Sequence, residues 1–177
     1  MAGKGLPGLA GPEHVGITVP DLDAAIDFFI DVIGCEMVFD GGRSGKNPDF
    51  MRTSLSVHPD CEVKYCFLRC GHGANFEVFE YSSPDQNTTP PKNSDIGGHH
   101  VAFYVDDIEA AVSHLKDHGV QVQGEINHIT DGPAGGSAWV YFLAPWGLQL
   151  ELVSYPSGKA YEAGAAIRLW HPGHPEH

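Results

Sequence analysis

HVGITVPDLDAAI, residues 14–26, is spelled a second time as HVAFYVDDIEAAV, residues 100–112. Each copy opens with a histidine on an apolar run and passes through an Asp-containing turn into an amphipathic segment. A second pair repeats downstream, GANFEVFEY at 73–81 and GLQLELVSY at 147–155. In both, a glutamate follows a glycine by four residues and a tyrosine follows the glutamate by four. His14, Glu77, His100 and Glu151 therefore stand at matched points of a duplicated unit.

Working outward from these stretches, alternation places Val15, Ile17 and Val19 on one face of a strand and His14, Gly16 and Thr18 on the other. Pro20 ends that strand, and Asp21 is placed to cap the next element. Leu22, Ala25, Ile26, Phe29 and Ile33 follow a helical period over residues 22–33, and Gly34 stops the helix. Residues 35–39 return as a strand. Residues 40–60, with Arg43, Lys46 and Arg52, read as a long loop carrying a short helix near 50–55. Residues 62–69 and 75–81 read as strands joined by the CGHG turn.

The second half repeats this order. Strands are expected at 99–105, 120–124, 137–143 and 148–155, with a helix at 107–118 carrying Ile108, Ala111, Val112 and Leu115. APWG forms a tight reversal before the last strand, and a short helix is expected around 161–169. Each half is strand–helix–strand–strand–strand, giving an α+β chain of two βαβββ modules, 12–82 and 99–156. A polar, Pro-rich linker spans 83–98, and a tail runs over 157–177. The histidines are 86 residues apart (14 to 100) and the glutamates 74 (77 to 151). The excess falls between helix and last strand of the first half, so residues 40–60 are an insertion suited to form a lid or wall.

Period-two geometry links the four polar residues. Glu77 shares a strand face with Asn75, Phe79 and Tyr81, opposite Phe76 and Val78. Glu151 shares one with Gln149, Val153 and Tyr155, opposite Leu148, Leu150 and Leu152. His100 shares one with Ala102 and Tyr104, opposite Val101, Phe103 and Val105. The apolar faces pack on the amphipathic helices, so the four polar side chains point away from that core. Two similar sheets curving toward each other would gather them in one cleft. Two imidazoles and two carboxylates suit Zn, Ni, Mn, Co or Fe(II). His99 is expected to face the helix side or the sheet edge. His58, His72, His114, His118 and His128 are read as solvated, and His171, His174 and His177 as tail residues without a role. Trp139 and Tyr141 fit either the cleft or the core.

Composition narrows the function further. The chain has 177 residues, 42% apolar and 19% charged, within the range of a globular domain. A net charge of −13 disfavours nucleic acid or an anionic membrane as partner. No apolar run is long enough for a membrane helix, and the Gly- and Pro-rich lead at residues 1–11 does not resemble a signal peptide, so a cytoplasmic location is expected. Cys35, Cys61, Cys66 and Cys70 show no CxxC spacing and read as reduced thiols.

The duplicated HVxxxV-x-D-hydrophobic-[DE]-AA signature and the GxxxE endings resemble the vicinal oxygen chelate superfamily over residues 12–156. That group includes glyoxalase I, methylmalonyl-CoA epimerase, extradiol dioxygenases and fosfomycin-resistance proteins. The resemblance implies two tandem βαβββ modules forming an open cup-shaped mixed sheet around one divalent metal ion. It places His14, Glu77, His100 and Glu151 where glyoxalase I and related isomerases hold their metal, and it implies a homodimer. It also implies a small-molecule substrate and an epimerase or isomerase that shifts a proton α to a carbonyl through an enediolate, with Glu77 and Glu151 as base and acid. Extradiol dioxygenases use two His and one Glu, against the Glu at 77. Methylmalonyl-CoA epimerases carry Gln at the point matched by Glu77, and an acid/base glutamate where this chain has Lys64. The long 40–60 segment, NSDIGGHH and YFLAPWG are more similar to a branch that includes glyoxalase-like proteins and epimerases of cyclitol ketones. A glyoxalase I-like lyase, an Fe(II) dioxygenase and a non-enzymatic binding or resistance protein are the alternatives.

Overall fold

A computed structural model describes residues 6–44 and 47–175. The start of the expected lead (residues 1–5), Lys46 of the long segment and His177 of the tail lie outside the described residues. The chain divides into two compact units, residues 1–86 and 87–177.

In the first unit, β1 (His14–Thr18) leads through α1 (Leu22–Asp27) and a π-helical turn (Phe28–Ile33) to β2 (Glu36–Ser44). Next come α2 (Pro48–Thr53), β3 (Glu62–Arg69) and β4 (Asn75–Ser82). The second unit runs β5 (Val101–Tyr104), α3 (Ile108–Asp117), β6 (Gln121–His128), β7 (Ala138–Leu143) and β8 (Gln149–Ser154), then a 3-10 turn at Ala160–Glu162. Each unit holds one open four-stranded mixed sheet, ordered β1-β4-β3-β2 and β5-β8-β7-β6. The first and last strands of each unit pair in parallel, and the remaining neighbours are antiparallel.

The duplicated stretches fold alike. Asp21 caps α1 by accepting from the Ala24 N–H at 3.0 Å, and Asp107 caps α3 by accepting from the Ala110 N–H at 2.9 Å. Past each parallel pair one further amide bond forms, Val19 N–H to Phe79 carbonyl and Val105 N–H to Val153 carbonyl. Alternation also holds. Ile17, Phe76, Val78, Cys66 and Leu68 are buried with Leu22, Ala25, Phe28 and Phe29 of the helix, and the Phe29 and Phe76 rings lie 5.6 Å apart. In the second unit Val140, Phe142, Leu150 and Leu152 are buried along with Ile108, Val112 and Leu115.

Several expected boundaries move. The helix at 22–33 switches to π geometry at Phe28, where the Gly34 N–H donates back to the Phe29 carbonyl. The wider turn buries Phe28 beside Phe29, while Ile26 is only half-buried. Residues 40–44, expected in a loop, belong to β2. The strand carries register shifts at Val38 and at Gly41, and Gly41 lies directly beneath the Tyr65 ring, where a Cβ would come within 2.4 Å of ring carbons. The short helix begins at Pro48, the expected strand at 120–124 continues to His128, and the tail helix is a single 3-10 turn. β5 starts at Val101, so His100 precedes the strand. APWG makes its reversal, with the Gly147 N–H donating to the Ala144 carbonyl at 2.8 Å.

Candidate metal centre

His14 begins β1, and Glu77 lies on β4 one residue past Phe76, whose partner across the parallel pair is Val15. That register sets both side chains on the face opposite the helix. The His14 Nε2 lies 3.1 Å from the Glu77 Oε2. The second unit repeats the arrangement: His100, one residue before β5, places Nε2 2.9 Å from the Glu151 Oε2. Each unit thus brings together its own His–Glu pair.

Beneath each histidine the third strand supplies an aromatic ring. Phe67, the cross-strand partner of Glu77, meets His14 edge-on at 5.5 Å. Tyr141, the partner of Glu151, meets His100 edge-on at 5.1 Å. Trp139 stacks edge-on to Tyr141 at 5.1 Å, on the Glu151 side of the sheet. In each unit Nε2 is the nitrogen that faces Glu77 or Glu151.

The surroundings differ in charge. The Glu13 carboxylate takes the His14 Nδ1, which raises the imidazole's pKa, with partial desolvation opposing and Glu77 reinforcing the rise. Glu13 also accepts from the Asn75 amide at 3.1 Å. A carboxylate on Nδ1 is the usual device for directing Nε2 at a metal. Burial pushes the Glu151 carboxyl above its ordinary value, against the pull of His100 and of the nearby Lys159 ammonium.

Each pair offers one imidazole nitrogen and one carboxylate oxygen, donor types that a divalent cation accepts; among the described residues no three His, Cys, Asp or Glu side chains converge on one point. The spacings of 3.1 and 2.9 Å are those of imidazole–carboxylate hydrogen bonds.

On the same sheet face, next to each pair, lies a segment outside the repeat. In the first unit, Met51 of α2 packs with Cys61 and Val63, and Leu55, Val57, Phe79 and Tyr81 close around them. Residues 47–60 therefore wall the Glu77 face two residues along the strand from Glu77. In the second unit the tail plays this part: the His171 ring sits 4.3 Å from Tyr104 and 4.7 Å from Tyr155. The sequence left His171 without a role, and only the aromatic Tyr104 and Tyr155 on the histidine–glutamate face hinted at a cover. His99 contacts the Gly97 carbonyl and is exposed.

Lys64, the position matched to an acid/base in methylmalonyl-CoA epimerases, faces the other way. Its Nζ is 3.0 Å from Glu80 Oε1, and Glu80 Oε2 accepts from the Leu22 N–H at the start of α1. Lys64 is thus part of a structural clamp on the helix side. Among the described residues the four cysteines are free thiols. No helix is long and apolar enough to cross a membrane among those residues.

Residues 13–142 match the family model of the Glyoxalase/Bleomycin resistance protein/Dioxygenase superfamily, and the chain belongs to that superfamily. It is 44% identical over 173 residues to a 2-epi-5-epi-valiolone epimerase of an Actinomyces species, covering 97% of this chain and 94% of that one. It is also 30% identical over 106 residues to the mitochondrial methylmalonyl-CoA epimerase of Mus musculus, over 59% of this chain and 51% of that protein. Among solved structures, a glyoxalase family protein from Bacillus cereus superposes with a TM-score of 0.66 at 22% identity, over 87% of this chain and 97% of that one. One from Enterococcus faecalis gives 0.60 at 22% identity, over 82% and 98%. These two likenesses establish the fold.

Proposed function

We propose that this protein is a metal-dependent epimerase that moves a proton on the carbon α to a carbonyl of a small oxygenated ketone, with a cyclitol- or sugar-like ring favoured. The observation that carries this reading is the duplicated His–Glu pair, Nε2 to Oε2 at 3.1 and 2.9 Å, on matched strands of the two units. The near full-length similarity to an epimerase named for a cyclitol ketone supports both the reaction class and the substrate class.

His14, Glu77, His100 and Glu151 would together hold one divalent cation: Zn, Ni, Mn, Co or Fe. Such an ion, when bound, supplies Lewis acidity that polarises a carbonyl oxygen and acidifies the neighbouring C–H. The protons themselves are moved by this chain's carboxylates. Glu77 takes the α-proton, and Glu151 returns one to the opposite face of the carbon. Phe67 and Tyr141 keep the two imidazoles oriented, and the Met51 and His171 walls shield the carboxylates from bulk water. The same reading places the enzyme in the cytoplasm as a homodimer, in keeping with two-module members of the superfamily.

The test combines elemental analysis with solvent exchange. Purified protein should carry near-stoichiometric divalent metal and should wash deuterium from D2O into the α-position of a cyclitol ketone. Glu77→Gln and Glu151→Gln should each slow that exchange by about 10²–10⁴-fold. Exchange at the wild-type rate in both variants would rule the mechanism out.

A further inference from the structure

The tail of the second unit does more than cover Tyr104 and Tyr155. It is anchored on the loop between β6 and β7, where Ala160 N–H donates to the Gly135 carbonyl at 2.8 Å and Tyr161 N–H to the Pro133 carbonyl at 3.0 Å. Between this anchored strap and the end of β8 lies a cavity of about 350 Å³, lined by Tyr155, Lys159, Tyr161, Glu162, Arg168 and His171 among others. The duplicated frame does not call for it, because the segment that walls the first unit's site face, residues 47–60, lies between β2 and β3 and not after β4.

The hydrogen-bonding capacity of its lining is one-sided. Glu162, the cavity's carboxylate, is turned onto its own backbone: Oε1 accepts from the Lys159 N–H at 2.9 Å, and Oε2 lies 3.9 Å from the Arg168 guanidinium. The Tyr161 hydroxyl oxygen accepts from the Leu169 N–H at 2.8 Å, which leaves its O–H to donate. The His171 Nδ1 accepts from the Gly173 N–H at 3.0 Å, which places the proton of the neutral ring on Nε2. Lys159 Nζ rests 4.1 Å above the Tyr155 ring and acts electrostatically on Glu151. Arg168 gives one N–H to the Glu162 carbonyl at 3.3 Å and keeps others.

Donors therefore predominate: an ammonium, a guanidinium, a phenol O–H and an imidazole N–H stand against one carboxylate, whose Oε2 has the Arg168 guanidinium at 3.9 Å. A free cation is disfavoured there by the Lys159 and Arg168 charges. The complement is a group that only accepts. In a chain of net charge −13, two cations lining one cavity are also the reverse of what composition would distribute.

We propose that this cavity is an oxyanion site, taking the phosphate or carboxylate group of a small molecule between Lys159, Arg168, Tyr161 and His171. Charge-assisted hydrogen bonds supply the attraction, and the Tyr155 face holds Lys159 in place by cation–π contact. The cavity adjoins the Glu151 face, since Lys159 acts electrostatically on Glu151 and His171 covers Tyr155; the binding test uses metal-free protein and no turnover, so its outcome is separate from that of the epimerase reading.

The experiment is calorimetric titration of the full chain, stripped of metal with a chelator, with inorganic phosphate and in parallel with a hexose 6-phosphate. Saturable binding that weakens with added salt is expected. Lys159→Gln and Arg168→Gln should each weaken it by about tenfold to a hundredfold, the measure of one charge-assisted bond, while Lys159→Arg should largely preserve it. Tighter binding of the hexose phosphate assigns the anion to a larger ligand, and equal binding assigns the site to the free ion. No saturable binding of either probe, or affinity unchanged in both Gln variants, overturns the proposal. Thermal melts of each variant confirm folding, and if Lys159→Gln fails to fold, Arg168→Gln decides.

Discussion

Glu80 shows how much one residue can carry away from the candidate centre. Its carboxylate takes the first amide of α1 and the Lys64 ammonium together, and these bonds, with the Leu22 N–H foremost, hold its pKa below the ordinary glutamate value. A carboxyl depressed in the folded state contributes stability that is present above its unfolded pKa and is lost as pH falls through the folded one. Glu80→Gln should therefore lower the unfolding free energy by about 1.5–3 kcal/mol at neutral pH and should flatten the acid limb of stability against pH, as read by urea melts at several pH values. Lys64→Met should cost stability similarly, yet leave solvent exchange into substrate at the wild-type rate. A collapse of exchange in folded Lys64→Met would return Lys64 to the chemistry. His14 is the opposite case, its pKa raised chiefly by Glu13. A ligand imidazole must be unprotonated, so metal affinity should fall as the pH drops through that raised value. Glu13→Gln should shift the fall to lower pH, as measured by metal retention after dialysis.

At the scale of elements, the matched caps Asp21 and Asp107 and the glycine crossing of β2 set geometry that the site inherits. Asp107→Ala should cost about 1 kcal/mol. Gly41→Ala drives a methyl group into the Tyr65 ring and should cost about 1–3 kcal/mol by overpacking; Tyr65→Ala introduced alongside should relieve part of that, which a double-mutant cycle from urea melts would show. Met51→Ala should cost about 2–5 kcal/mol, because it empties the wall over Phe79 and Tyr81. The legibility of these elements was uneven. The period-two faces of β4 and β8 were readable because buried Phe76, Val78, Leu150 and Leu152 alternate with less buried neighbours. The π turn at Phe28 was not, since a continuous apolar run, FFI, fits either helical period. The reach of β2 to Ser44 was hidden by Gly41 and Gly42, which look like loop residues and act as a bulge under Tyr65.

On the scale of the whole molecule, the proposal that both His–Glu pairs serve one ion makes a stoichiometric prediction. One equivalent of metal should bind per chain, and His14→Ala and His100→Ala should each abolish it. Two equivalents, halved by either substitution, would mean separate sites. Saturating metal should also raise the melting temperature of the chelator-treated protein, by about 2.7 kcal/mol of added stability at a hundredfold excess over Kd.

By itself the sequence determined the duplicated βαβββ plan, the buried faces and the four polar residues set opposite them, because strand alternation and helical period are local and survive in the order of residues. Only the tertiary structure decided that each Nε2 meets its Oε2, that Lys64 is held by Glu80 on the helix side, and that residues 47–60 and the tail wall the two site faces. Those contacts join residues far apart in the chain through packing and cross-strand register, and no periodicity records them.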